Sequence, residues 1–359
     1  MKPTAKLHAE GQSLWLDNIT RTMLEDGTLA GYIEELSVTG LTSNPTIFDK
    51  AISGGDVYDR HIAEASEKAD DAEAIFFELA LSDLRDATDL FKGVHERTAG
   101  VDGYCSLEVS PKLADDTAAT IEQAAQLHGR AGRDNLFIKI PGTPAGLPAI
   151  EETIFAGIPV NVTLLFSREH HLAAADAYMK GIERRIEAGL DPDVASVASI
   201  FMSRWDVAVA DDVPDELRNR LGLAIGFRAY AAYRELLDSQ RVQRLMNEGA
   251  RPQRLLWAST GTKDPDASDT LYIEGFASPF TVNTMPEPTL HAFADHGEVG
   301  ALVPADGGDC EQTLAEFVAA GIDVAALAER LQEEGKAAFV KSWEDLMGSI
   351  ESKRGALAG

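Results

Sequence analysis

A lysine stands inside an apolar run, Phe137-Ile138-Lys139-Ile140-Pro141, and that placement has a definite chemical use. Desolvation disfavours an ammonium ion, so an amine held among apolar neighbours gives up its proton more readily and attacks a carbonyl as a Schiff-base nucleophile. The competing reading is a lysine that snorkels from a strand end to solvent; the flanking Phe137, Ile138 and Ile140 weigh against it. Schiff-base chemistry on a hydroxyketone also needs a carboxylate to take and return a hydroxyl proton as a carbon–carbon bond breaks, and a second group to handle water at the imine. Asp17, at the end of Leu14-Trp15-Leu16, and Glu108, after Cys105-Ser106-Leu107, are the two candidates. Each has an alternative use: Asp17 as the N-cap of a helix over Ile19 to Leu24, Glu108 as half of a buried ion pair with Lys139. Asn161 and Thr163, in Val160-Asn161-Val162-Thr163-Leu164, and Ser199, after Val197-Ala198, are further polar residues in apolar runs. Asn44, in Thr42-Ser43-Asn44-Pro45-Thr46, reads on local chemistry as a turn residue before proline.

Such residues act together only if the chain brings their segments to one place. Eight short runs rich in apolar and β-branched residues read as strands: 14 to 19, 36 to 42, 103 to 109, 136 to 141, 159 to 166, 195 to 201, 254 to 260 and 280 to 286. Between them, 71 to 97, 112 to 130, 168 to 188 and 214 to 248 carry Leu, Ala, Phe and Ile at helical spacing. Strands alternating with helices predict a parallel sheet, and eight of them predict an α/β protein built as a single (β/α)8 barrel. No Pro/Gly/Ser-rich linker divides the chain, so residues 1 to 359 are expected to form one domain, with two extra helices at about 311 to 350. The stripe Phe339, Trp343, Met347 on the last of these reads as core packing, and the irregular segment 261 to 279 as a binding loop or lid. An open doubly wound sheet is the alternative; it usually shows a glycine-rich turn after its first strand, and Asp17-Asn18-Ile19-Thr20 has none.

Strands of a barrel are buried on both faces, so polar side chains in them need a reason. Alternation sends Ile138 and Ile140 to one face and Lys139 to the other, and puts Asn161 and Thr163 on a shared face. With the apolar partners against the helices, the polar set converges on the barrel axis, near the strand ends where barrel enzymes build their sites.

Composition narrows the partners. The 359 residues carry 59 acidic and 32 basic side chains, a formal charge of −27 that repels nucleic acid and anionic membrane surfaces. The same field repels a phosphorylated ligand, which would need a local positive cluster. No segment has the length and hydropathy of a signal peptide or membrane span, and Cys105 and Cys310 form no C-x-x-C pair; a cytoplasmic protein is expected. His170 and His171 are adjacent and lack the spacing of a zinc pair, and no phosphate-binding glycine loop or nucleophile elbow stands in a strand-to-helix context.

The segments LWLDNI, LTSNPTIF, SLEVSPKLADD, LFIKIP, NVTLLFS and SIFMSRWD, in this order from about 14 to 286, resemble the strand-end motifs of transaldolases. The length resembles the longer bacterial subclass of that family. The resemblance implies that Lys139 forms the Schiff base, that Asp17 is the acid/base at the hydroxyl of the breaking bond, and that Glu108 activates water with Thr163. It further implies that Asn44 and Asn161 hold substrate hydroxyls, that Ser199 lines the pocket, and that Arg204, in Ser203-Arg204-Trp205-Asp206, binds phosphate. The reaction implied is reversible transfer of a dihydroxyacetone unit from sedoheptulose 7-phosphate to glyceraldehyde 3-phosphate, without metal or cofactor, by a monomer or homodimer. One departure stands out: compact members place an arginine soon after a serine following the seventh strand, whereas Ser259-Thr260-Gly261-Thr262-Lys263 has none. Lys263 either substitutes as a point charge or is a solvated loop lysine beside Asp264. A Schiff-base aldolase and a catalytically silent sugar-phosphate binder are the competing functions.

Overall fold

Apolar runs buried on both faces pair most economically with one another, and here they close into a ring. The computed structural model describes residues 1–69 and 71–358, and its eight strands pair in parallel in sequence order, β8 returning to β1. They are β1 Ser13–Leu16, β2 Val38–Thr42, β3 Cys105–Glu108, β4 Leu136–Pro141, β5 Val160–Leu165, β6 Ser196–Phe201, β7 Arg254–Ala258 and β8 Val282–Met285. Seven lie within the expected runs, and β1 starts one residue before its own. β7 ends early because Ser259 turns to φ 55, and β8 starts late because Phe280 sits at φ 63, two backbone conformations that leave the sheet.

Helices fill the crossovers, with local chemistry setting their ends. The helix Ala72–Arg97 starts where Asp71 accepts from the Ala74 amide at 2.8 Å, and Arg168–Glu187 where Ser167 accepts from His170. The expected helix over 112 to 130 is a 3-10 turn, Pro111–Leu113, followed by Thr117–Ala131. The stretch 214 to 248 is not one helix but a 3-10 turn and two helices, Leu221–Leu237 and Gln240–Asn247, parted where Ser239 caps the second through the Val242 amide. Its apolar period runs on across the break, which is why spacing alone joins them. The tail forms Cys310–Ala319 and a long helix, Val324–Leu357, that runs past its expected end. Within 261 to 279 only Leu271–Gly275 is α-helical.

Inside the ring the side chains stack in layers, the largest being Trp15. Gly40 makes its room, since a Cβ there would lie 2.7 Å from the indole and 2.6 Å from the Tyr104 carbonyl oxygen. Phe137 lies 6.0 Å from Trp15, centroid to centroid, and stacks on Tyr104 at 4.2 Å. This aromatic layer plugs the middle of the barrel and leaves the strand ends above it for polar groups. On the outside, Trp343 of the long helix packs against Phe76 and Phe77 at 5.1 and 5.7 Å. No helix among the described residues is long and apolar enough to cross a membrane.

Candidate active site

The C-terminal ends of the strands surround a cavity of about 360 Å³. Strand alternation brings Lys139 to its floor, one pleat above Phe137, and the register sets Glu108 on one side of it and Asn161 on the other. The Lys139 amine is buried, donates to the Ser43 carbonyl at 3.1 Å and lies 3.6 Å from the Glu108 carboxylate. Neither oxygen of Glu108 has a hydrogen-bond partner, and neither does the buried Thr163 hydroxyl. Groups this deep are ordinarily paired, so bare acceptors and a bare hydroxyl at this end of the barrel mark a place for water or a reacting atom. Burial pushes the Glu108 carboxyl up to about 7, with Asp17 adding to the rise and Lys139 opposing it.

Asp17 lies just past β1 and faces the same cavity. Burial raises its carboxyl above the usual value, against the pull of Lys139, a hydrogen bond from Thr42 and the charge of Lys263. That Thr42 hydroxyl donates at 2.8 Å and lies 2.7 Å from the Thr284 hydroxyl. Asp17 is not a helix cap: the short helix Arg21–Glu25 is capped by Thr20, through the Met23 amide at 3.2 Å. Asn44 does two jobs, since its carbonyl oxygen caps the helix Pro45–Ser53 through the Ile47 amide at 3.1 Å while the residue lines the cavity.

Of the remaining predicted residues, Thr163, Ser199, Arg204, Ser259 and Lys263 line the cavity. Asn161 lies one level deeper, fully buried, with its amide donating to Ser106 at 3.1 Å and accepting from Ser199 at 2.7 Å. After Thr163 the alternation breaks in a bulge at Leu164, φ 60, where β5 shifts register against β6. Arg204 reaches in from the start of the helix after β6. Its guanidinium sits 5.0 Å from the Phe201 ring and 5.9 Å from Phe339, and makes no hydrogen bond or ion pair among the described residues. Burial lowers its pKa from the ordinary value. The nearby carboxylate of Asp206 is turned away, taking the Leu221 and Gly222 amides at 2.9 and 3.1 Å and the Tyr272 hydroxyl at 2.6 Å. Lys263 is exposed at the rim, and Asp264 does not pair with it, accepting instead from Asn219 at 2.7 Å and the Asp266 amide at 2.9 Å.

Sequence reading missed several contributors. Lys50, Thr42, Thr284, Phe339 and Ser342 also line the cavity. Lys50 lies on the helix that Asn44 opens, a spacing that offers a usable signal. Phe339 and Trp343 both belong to the core, as the stripe predicts, and Phe339 lines the cavity as well. The long helix carrying it is pinned to the rim by Gln332, whose amide donates to the carbonyls of Leu164 at 2.9 Å and Gly142 at 3.3 Å. Gly335 of the same helix lies against Arg204, where a Cβ would be 3.1 Å from the guanidinium. His170 and His171 stand apart from all this: His170 accepts from the Phe166 amide, and His171 is buried in a separate layer near Tyr233. No cluster of His, Cys, Asp and Glu suited to a metal ion occurs among the described residues.

A parallel eight-stranded barrel with a buried amine and two carboxyls at one end of its strands defines an α/β-barrel enzyme for carbonyl substrates. Comparison with known proteins narrows the class. The profile of the Transaldolase/Fructose-6-phosphate aldolase family matches residues 14–350. A transaldolase of a Parafrankia species is 43% identical over 366 aligned positions, covering 99% of each chain. One from Mycolicibacterium smegmatis is 44% identical, covering 97% of this chain and 96% of that one, and one from an Arthrobacter species is also 44% identical. The chain belongs to the transaldolase/fructose-6-phosphate aldolase family.

Proposed function

We propose that the protein is a transaldolase that moves a dihydroxyacetone unit from sedoheptulose 7-phosphate to glyceraldehyde 3-phosphate through a Schiff base on Lys139. The observation that carries this reading is the buried Lys139 amine, 3.6 Å from an unhydrogen-bonded Glu108 carboxylate, on the floor of a cavity that Asp17 also faces. The amine attacks the ketone, and loss of water from the resulting carbinolamine leaves an iminium that withdraws electrons from the neighbouring bond. Asp17 takes the proton of the hydroxyl on the far carbon, the carbon–carbon bond breaks, and erythrose 4-phosphate departs. The retained enamine adds to the incoming aldehyde with Asp17 returning the proton, and water then releases fructose 6-phosphate. Glu108, poised near neutrality, is suited to pass a proton to and from that water in both directions, with the Thr163 hydroxyl as its companion.

Arg204, stacked on two rings and without a carboxylate, is the local cation that holds phosphate against a chain charge of −27, with Lys263 at the rim as a second. Asn44 and Ser199 are placed to meet substrate hydroxyls, and Asn161 acts on them through Ser199. The whole chain works as one domain, because the long C-terminal helix supplies part of the cavity wall. The two buried, free cysteines suit the reducing conditions of a cytoplasmic enzyme.

Borohydride reduction with fructose 6-phosphate, followed by peptide mapping, tests the covalent step. A three-carbon adduct on Lys139 is expected; an adduct on another lysine, or none on folded protein, overturns it. Product analysis with and without an acceptor aldehyde separates transfer from simple cleavage, since an aldolase would release free dihydroxyacetone at an undiminished rate when no acceptor is present.

A further inference from the structure

The barrel has a second opening. At the N-terminal ends of the strands lies a cavity of about 610 Å³, larger than the catalytic one and back to back with it. The aromatic layer of Trp15 and Phe137 is the floor of this second cavity, each residue one pleat below Asp17 and Lys139 on its own strand. Tyr233, Leu237, Met246 and Phe280 line its walls, so the chamber is mostly apolar.

Three features exceed what packing requires. Phe280 is 60% exposed at the mouth, on a backbone at φ 63, a left-handed conformation that costs a non-glycine residue about 1–2 kcal/mol. Two arginines of the lining, Arg234 and Arg254, form no ion pair among the described residues, in a chain with nearly two acidic groups for each basic one. Arg234 lies 5.7 Å from the Phe280 ring and 5.8 Å from that of Tyr230, whose hydroxyl accepts from it at 3.0 Å. Arg254 donates only to neutral oxygens, of Ser13 at 2.6 Å, Thr281 at 3.0 Å and Val101 at 3.1 Å. The buried carboxylate nearby, Asp102, is already taken by Ser13, Trp15 and the Gly103 amide, and Asp238 is exposed at the rim. The third feature is Gln12, fully buried in the lining: its amide nitrogen donates to the Phe276 carbonyl at 2.7 Å and the Thr281 hydroxyl at 2.8 Å, while its oxygen has no donor. A buried acceptor without a partner is uncommon in a folded protein.

We propose that this mouth is a second ligand site, for a small planar aromatic molecule carrying one acid group. The flat body packs among the rings and the acid group faces Arg234. Sugar phosphates, polar on every side, suit the other end of the barrel and not this one. The inference rests on geometry separate from Lys139 and stands or falls independently of the Schiff-base reading.

The test uses anilinonaphthalene sulfonate, an aromatic acid that fluoresces in apolar surroundings, titrated into the whole protein. Saturable binding at one equivalent is expected, undisturbed by saturating fructose 6-phosphate. Both Arg234→Glu and Phe280→Ala should weaken it by about tenfold or more, with melting temperature and turnover unchanged. Should Arg234→Glu fail to fold, Phe280→Ala, which removes an exposed ring, decides alone. Non-saturable binding, displacement by fructose 6-phosphate, or undiminished affinity in the folded variants overturns the proposal.

Discussion

Two buried carboxylates, one toward each end of the barrel, live under opposite conditions. Asp102, just before β3, accepts from Trp15 at 2.8 Å, from the Gly103 amide at 3.0 Å and from Ser13. Glu108, at the end of β3, accepts from nothing and faces an amine 3.6 Å away. The same strand thus separates a carboxylate whose hydrogen bonds hold the fold from one whose lone pairs are kept for chemistry. A saturated group is rigid and inert; an unsatisfied one costs stability and stays available. Burial depth does not distinguish them, since both are almost fully buried; only the partner count does.

Substitutions at the two ends break this comparison in different ways. The largest effect is expected for Lys139→Met, which should abolish turnover while leaving the melting temperature within a few degrees; detectable turnover in that variant removes the amine from the mechanism. Glu108→Gln should lower kcat on the order of 10²–10⁴-fold. In the parent, the kcat/KM profile should rise as Glu108 loses its proton around pH 7, and the variant should lack that limb. The stability effect runs the other way. A folded-state value of about 7 lies above that of an unfolded glutamate, so Glu108 supports the fold at low pH and that support is lost as pH rises through 7. Melting curves of Glu108→Gln across that range should therefore be flatter than the parent's.

Arg204→Ala tests the phosphate assignment. Losing hydrogen bonds to a charged group, about 1.5–3 kcal/mol, should raise KM for fructose 6-phosphate roughly ten- to a hundredfold. Lys263→Ala, at an exposed rim, should cost only a few-fold and lose its effect at high salt. An equal effect of the two would mean that the rim, not the stacked arginine, carries the phosphate. Smallest for activity is Asp102→Asn. It should leave kcat intact yet destabilise the fold by about 1–3 kcal/mol in denaturant melts, because the amide nitrogen that replaces one carboxylate oxygen can no longer accept, and the Ser13 hydroxyl or the Trp15 and Gly103 N–H groups lose their partner.

How far the sequence could be read follows from what each signal depends on. The eight strands were legible because burial on both faces leaves near-continuous apolar runs, and Lys139, Asp17 and Glu108 stand out against them for the same reason. The break at Ser239 was not, since helical period runs through it and the cap is a single hydroxyl. Phe339 was missed because it belongs to a helix whose approach to the cavity is a matter of tertiary packing, invisible in local spacing. Asn161 was read on the correct face, level with Lys139, but its hydrogen bond from Ser199 was not legible. Alternation reports which side of a strand a residue occupies, and says nothing of how a partner such as Ser199 screens it from the cavity.

Gly335 gives the long C-terminal helix a significance beyond covering. A glycine in a helix interior costs about 1 kcal/mol relative to alanine, and here the missing methyl is what lets Arg204 lie beneath the helix. Its neighbours in the chain are Glu334 and Lys336. Both are turned to other partners, Glu334 to Arg330 and Lys336 to Asp115 and Glu333, so neither charge meets the arginine. The position of this helix, held by Gln332, thus brings the residue without a side chain over the guanidinium.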